Sequence, residues 1–276
     1  MVEMLDTLTL KTPPLSRSGL ELVALEENLW LVRREDQTEI AKLSLTDFKE
    51  TGPAALLVVE QGSAGTMAWV AEGIRAVLDY SFDELKLGKV SVRADVEKLS
   101  LVAALEDYGF VEKTRSQGGK KIRLVADRWD YLRALAETEM LEHLEDREWS
   151  FGFDSGRRRA GLCSYNDKRI TVSKYLSLVH SIDDVMQTVK HEIAHALVGP
   201  KEGHGKKWLA TAKRIGYRNE TYTGQEIAKA YAPYRGLCPN GHEHFRYQRP
   251  KRLYSCHHCG SGFRKEYMID WLPRAS

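Results

Sequence analysis

The chain has 276 residues, 42% of them hydrophobic and 29% charged, a composition suited to two domains and a small third. No apolar run approaches the roughly 20 residues that span a bilayer, so no membrane partner is expected. The start "MVEMLDTLTLKTPPL" does not have the pattern of a secretory signal, and the expected location is cytoplasmic.

The net charge of +2 hides an asymmetry: residues 201–276 carry 15 Lys+Arg against 6 Asp+Glu, an excess of +9. A basic C-terminal quarter suits a polyanion, with nucleic acid the first candidate; a solvated basic face is the plain alternative.

Residues 1–125 have an α/β pattern. "LELVAL", "LWLVRR", "EIAKLSL" and "AALLVVE" predict strands, being short and rich in β-formers. "WVAEGIRAVLDYSFDEL" predicts a helix with Val70, Ile74, Val77, Leu78 and Phe82 on one face. "KVSVRA" is a further strand, "KLSLVAALEDYGF" a helix ending near Gly109, and "KKIRLV" a strand after the turn "SQGG". This succession resembles the second half of a GNAT acetyltransferase. In that family a glycine-rich loop cradles the acetyl-CoA pyrophosphate with backbone N–H groups. The matching stretch, "AGTMAW", lacks paired glycines, and "RADVEKLS" lacks the usual Asn. The resemblance therefore implies a degenerate acetyltransferase-like domain, with no acetyl-CoA expected and docking as its role.

A second unit is expected over residues 126–236. "DRWDYLRALAETEMLEHLED" predicts an amphipathic helix packing through Trp129, Leu132, Leu135, Met140 and Leu144. "WSFGF", "AGLCSY" and "RITVS" predict three strands, with "DSGRRR" as a turn. Ser181 and Asp184 form a capping-box pattern ahead of a helix whose stripe is Val185, Val189, Ile193 and Leu197, stopped by Gly199 and Pro200. "KKWLATAKRIG" is a second helix.

The chemistry lies in "HEIAHALVGPKEGHGKKW". His191 and His195, four apart on a helix, project from one face and can share one tetrahedral ion. Glu192 beside them would serve as general base on the attacking water. Two exposed helix histidines beside a salt-bridging Glu is the bland alternative. A catalytic zinc needs a third ligand. His204, flanked by Gly203 and Gly205, is preferred to Glu202, because three neutral imidazoles form a known catalytic set. The spacing is too long for H-E-x-x-H-x-x-G-x-x-H.

With "WSFGFDSGRRRAGLCSYNDKRITVSKYL" ahead of it, this stretch resembles the SprT-like metalloprotease family over roughly residues 127–276. Members pair H-E-x-x-H with a later G-H-G and an aromatic, here Gly203, His204, Gly205 and Trp208, and carry an upstream G-x-C segment, here Gly161 and Cys163. The resemblance implies zinc at His191, His195 and His204, catalysis by Glu192, and protein substrates on or near DNA. Cys163 reads as a core thiol.

Residues 237–276 hold Cys238 and the pair Cys256 and Cys259. Clustered cysteines in a cytosolic chain point to metal. Two knuckles joined by a hairpin read as a zinc ribbon, with His242 replacing the missing cysteine, and with His244, His257 and His258 as other candidates. Free thiols without metal are the alternative. Arg246, Tyr247, Arg249, Lys251 and Arg252 interleave base and aromatic, as nucleic-acid contacts do; a brace for the protease is the structural alternative.

The expected fold class is α+β multidomain: an acetyltransferase-like α/β domain, a zincin-like SprT protease domain and a C-terminal zinc ribbon. The expected activity is zinc endopeptidase, with one catalytic and one structural Zn2+, a protein substrate and DNA as partners. The rivals are a non-catalytic zinc-containing DNA-binding module and an acetyltransferase with a fused metal domain.

Overall fold

The computed structural model describes residues 20–49, 54–63, 65–157, 159–218, 229 and 232–274. Ala64 of "AGTMAW" and Arg158 of "DSGRRR" lie outside the described residues. Contacts divide the chain into two compact units, Met1–Glu145 and Asp146–Ser276.

The first unit is a seven-stranded sheet in the order β1-β2-β3-β4-β5-β7-β6. Its strands are β1 (Leu20–Glu26), β2 (Leu29–Arg34), β3 (Glu39–Lys49), β4 (Ala54–Gln61), β5 (Lys89–Asp95), β6 (Val111–Arg115) and β7 (Lys121–Asp127). Every neighbouring pair is antiparallel except β4 and β5. That parallel pair requires a crossover, and helix α1 (Met67–Asp83) supplies it. Val70, Ile74, Val77, Leu78 and Phe82 of α1 are all buried, as their spacing predicts. Helix α2 (Leu99–Glu106) follows β5. Strand β6 is exposed along its whole length and has no apolar alternation in the sequence; it forms only as an edge, by pairing with β7.

Helix α3 (Arg128–His143) starts with a full capping box between Asp127 and Asp130. The sequence places it at the head of the second unit, whereas its contacts lie with the first. Tyr131, fully buried, donates to Asp79 Oδ1 at 2.8 Å, and Arg128 donates to the Phe82 carbonyl at 2.9 Å. Leu132, Leu135, Met140 and Leu144 pack inside as expected, but Trp129 is 40% exposed. The buried stripe runs through Arg128, Tyr131, Leu132, Leu135, Ala136 and Met140; residue 129 shares the helical phase of Ala136, seven residues on, but stands in the first turn of the helix.

In the second unit, β8 (Ser150–Asp154), β9 (Gly161–Ser164) and β10 (Arg169–Ser173) form a sheet in the order β8-β10-β9. β10 runs parallel to β8 and antiparallel to β9. A short helix, α4 (Leu176–Val179), leads to the long helix α5 (Ile182–Val198). The Ser181 hydroxyl caps α5 by accepting from the Asp184 N–H at 3.1 Å. Val185, Val189 and Ile193 are buried with no exposed surface, while Leu197, in the last turn, is 36% exposed. Gly199 ends α5 at φ +86°, a backbone shape that costs glycine little. Helix α6 (Lys206–Arg214) follows.

The C-terminal segment is a second small sheet, β11 (Tyr234–Leu237), β12 (Glu243–Arg246) and β13 (Asp270–Pro273), in the order β12-β11-β13. The hairpin therefore spans the first knuckle, Cys238 to His242, and does not join the two knuckles. Ser255, just before the second, bridges to Met268. No described helix is long and apolar enough to cross a membrane.

Candidate metal centres

The Nε2 atoms of His191, His195 and His204 form a triangle with sides of 3.0, 3.0 and 3.1 Å. Two histidines come from one face of α5, and the third is returned by the turn at Gly199–Gly205. Glu202, the alternative ligand, instead lies 3.9 Å from Lys207 Nζ.

Three nitrogen lone pairs converging this closely repel one another unless a cation sits among them. A triangle of that size has a circumradius of about 1.8 Å, shorter than the 2.0–2.1 Å of a Zn–N bond, so one ion can reach all three. The set fits zinc. Burial first, then the neighbouring His195 and His204 rings, push His191 down to about 4, and burial followed by His204 also lowers His195. Both are thus held neutral, the form that ligates.

Trp208 backs the triad: its ring centroid lies 4.7 Å from those of His191 and His204 and 5.4 Å from that of His195. Tyr165 donates its hydroxyl to the His195 carbonyl at 3.0 Å and fixes the last turn of α5 from the side of the sheet. Sequence reasoning passed over Tyr165, because a tyrosine one residue past a short strand has no spacing signal.

Glu192 is buried, at 7% exposure, and lies against β9. A Cβ added to Gly161 would fall 2.7 Å from Glu192 Oε1 and 2.9 Å from Thr188 Cγ2. The glycine makes room for the carboxylate. Cys163, two residues on, is half-buried. Burial, with the Glu192 charge adding, pushes its thiol up to about 12, so it stays protonated and unreactive.

The second cluster is Cys238, His242, Cys256 and Cys259. His242 Nδ1 lies 3.5, 3.6 and 3.3 Å from the three sulfurs in that order, and Cys238 Sγ lies 3.8 Å from Cys259 Sγ. Tetrahedral zinc has edges of about 3.8 Å between sulfurs and about 3.6 Å from sulfur to nitrogen, whereas a disulfide would be about 2.05 Å. This donor set also fits zinc. Desolvation opposes the Cys238 thiolate, but N–H groups of His242 and Asn240 and the His242 side chain outweigh it and bring the thiol to about 6. His244, His257 and His258 lie outside this ligand group; the His244 ring is 6.4 Å from that of Trp271.

The basic residues sit beside this cluster. Arg246 Cζ lies 4.2 Å from the Tyr254 ring centroid, and Arg252 Cζ lies 5.3 Å from it. Arg249, Lys251 and Arg252 line a cavity of about 870 Å³ with Tyr234, Met268 and Trp271. Tyr247 packs on Arg157, in the loop between β8 and β9.

The histidine-bearing helix under its three-stranded sheet defines a metallopeptidase-type domain. The chain belongs to the SprT-like family, whose model matches residues 131–229. It is 32% identical over 114 residues to Protein SprT of Glaesserella parasuis serovar 5 (strain SH0165), covering 37% of this chain and 73% of that protein. By structure, the N-terminal unit resembles spermidine N-acetyltransferase from Vibrio cholerae. The dodecameric structure of that enzyme in an intermediate state matches at 22% identity and TM-score 0.34, over 38% of this chain and 66% of the other. Its complex with CoA and spermine matches at 22% identity and TM-score 0.34, over 38% and 67%.

Proposed function

We propose that the chain is a zinc-dependent endopeptidase, with His191, His195 and His204 holding the catalytic ion and Glu192 acting as base and then acid. The observation that carries this is the closed triangle of three imidazole nitrogens beside a buried glutamate. Zinc bound there supplies a Lewis acid that polarises a carbonyl and lowers the pKa of water to about 7. Glu192 takes a proton from the attacking water and returns it to the leaving amine. Tyr165 and Trp208 hold the histidines in place, and the neutral Cys163 puts no second charge beside Glu192.

The four-ligand cluster is the structural zinc of a ribbon, closed to chemistry because it has no open position. Its basic and aromatic surface, with Arg246, Tyr247, Arg249, Lys251 and Arg252, binds nucleic acid, and the substrates are proteins on or near DNA. The +9 excess of residues 201–276 supports this. Glu192→Gln should keep its zinc and lose casein cleavage by several orders of magnitude, in the presence and absence of DNA. Cleavage retained by that variant would refute the assignment. A wild-type protein that binds DNA and cleaves nothing would leave a DNA-binding module.

A further inference from the structure

Seven of the described arginines of the second unit fall into two groups. Arg159, Arg218, Arg235 and Arg264 each face a carboxylate. Arg246 and Arg252 instead lie on aromatic rings of the ribbon, and among the described residues neither has a carboxylate partner. Two cations of the peptidase lobe belong to this second group. Arg157 lies between two tyrosines, its Cζ 4.8 Å from the Tyr175 ring centroid and 5.3 Å from that of Tyr247. Its Nη2 donates to the Tyr175 hydroxyl at 2.8 Å. Lys174 Nζ lies 5.4 Å from the Tyr175 ring. Both cations are exposed, and no described carboxylate neutralises either.

Their footing is tied by hydrogen bonds. The Asp154 carboxylate accepts from the Gly156 N–H at 2.6 Å, Arg159 Nη1 at 2.8 Å and the Thr171 hydroxyl at 2.5 Å. The Ser173 hydroxyl donates to the Gly156 carbonyl at 2.5 Å. Arg157 is thus presented by a braced loop, and a guanidinium already seated on a ring loses little further freedom when it meets a phosphate.

We infer that the polyanion surface of the ribbon continues across Tyr247 onto the peptidase lobe, where Arg157 and Lys174, seated on Tyr175, contact two further phosphates of a single nucleic-acid strand. This rests on the nucleic-acid reading of the ribbon. The ring-held cations suit a strand whose bases are unpaired, because such bases can stack on the guanidinium planes of Arg157, Arg246 and Arg252, which paired bases cannot do.

The test is fluorescence anisotropy with the zinc-loaded full chain and labelled oligo-dT or oligo-rU of about 15 nucleotides, between about 50 and 200 mM salt. The two strands distinguish DNA from RNA as the source of the phosphates. Each single-strand phosphate contact contributes about 0.7 to the slope of log K against log salt. The Arg157→Gln/Lys174→Gln double variant should lower that slope by about 1.4 and weaken binding about 25-fold at about 100 mM salt. Arg157→Lys should keep the slope. Wild-type slope and affinity in the double variant would confine the interface to the ribbon and overturn the inference. A wild-type protein that binds neither strand overturns the ribbon reading as well, and preference for a duplex overturns the single-strand assignment. Zinc content reports folding. If Arg157→Gln does not hold its zinc, Lys174→Gln alone, an exposed change, decides through a slope loss of about 0.7.

Discussion

Gly161 and Glu192 are so close that the glycine cannot acquire a side chain without moving the carboxylate. A Cβ at residue 161 would sit 2.7 Å from Glu192 Oε1 and 2.8 Å from its Cγ. Both are well inside van der Waals contact, and Glu192 is buried, with little space to retreat into.

Gly161→Ala should therefore displace the proposed base and leave the metal ligands alone. A shift near 1 Å in a reacting group can cost about 100-fold, so kcat should fall by about that factor with zinc content unchanged. Overpacking adds a stability loss of about 1–3 kcal/mol. Thr188→Ala in the same chain removes the third contact, Cγ2 at 2.9 Å, and should restore part of the rate. An unchanged kcat in Gly161→Ala would show that the catalytic carboxylate does not need this space.

His204 is the proposed ligand that does not come from α5, so its removal separates the triad from a helix-borne pair. His204→Ala leaves His191 and His195 with too few donors for tight binding. Zinc should fall from about two ions per chain to about one, as read by plasma mass spectrometry after gel filtration. Two ions remaining would mean that another group, such as Glu202, completes the site.

The helical pair and the cysteine knuckles were legible in the sequence because their spacings are local: four residues place His191 and His195 on one face, and a two-residue gap bends Cys256 toward Cys259. His204 followed from the glycines around it. The close fit of Gly161 to Glu192 was not legible, since it depends on how β9 lies over α5 across 31 residues. Arg157 meeting Tyr247 is a contact across 90 residues and leaves no periodic trace. Strand β6 was missed because "VEKTR" has no buried face. Helical phase puts Trp129 on the buried stripe, but its exposure in the first turn of α3 depends on what packs over that end, which periodicity does not report.

Among the described residues, the hydrophobic core of the C-terminal segment is Cys238, Cys256 and Ile269, with Tyr254, Cys259, Tyr267 and Trp271 packed partly against them. So small a core does not offset its conformational entropy without metal. Cys259→Ser should lose the structural ion and protection from hydrogen exchange in β11, β12 and β13. Strand β5 and helix α1 of the first unit should exchange as in the wild type. Full protection of β11 in that variant would show that the metal is dispensable for the fold.

Tyr108 gives the first unit a pH dependence of its own. Its hydroxyl donates to the Ala71 carbonyl at 3.1 Å. Burial pushes its pKa from 10.0 up to about 12; Arg75 opposes the rise, while Glu72, Asp79 and Asp107 add to it. An acid with a raised folded-state pKa gives its full contribution below the unfolded value. Stability should therefore hold up to about pH 10, then fall as the unfolded chain releases the proton first, and stop falling from this group above about pH 12. Two pKa units correspond to about 2.7 kcal/mol as an order of magnitude. Tyr131, also raised by burial, acts in the same direction, so the single residue is isolated by difference. Chemical denaturation of wild type and Tyr108→Phe at intervals from about pH 9 to 12 should show the variant losing stability less steeply, by up to one proton in the slope. Parallel curves over that window would mean that Tyr108 titrates alike in the folded and unfolded chain, and that its burial does not hold the proton.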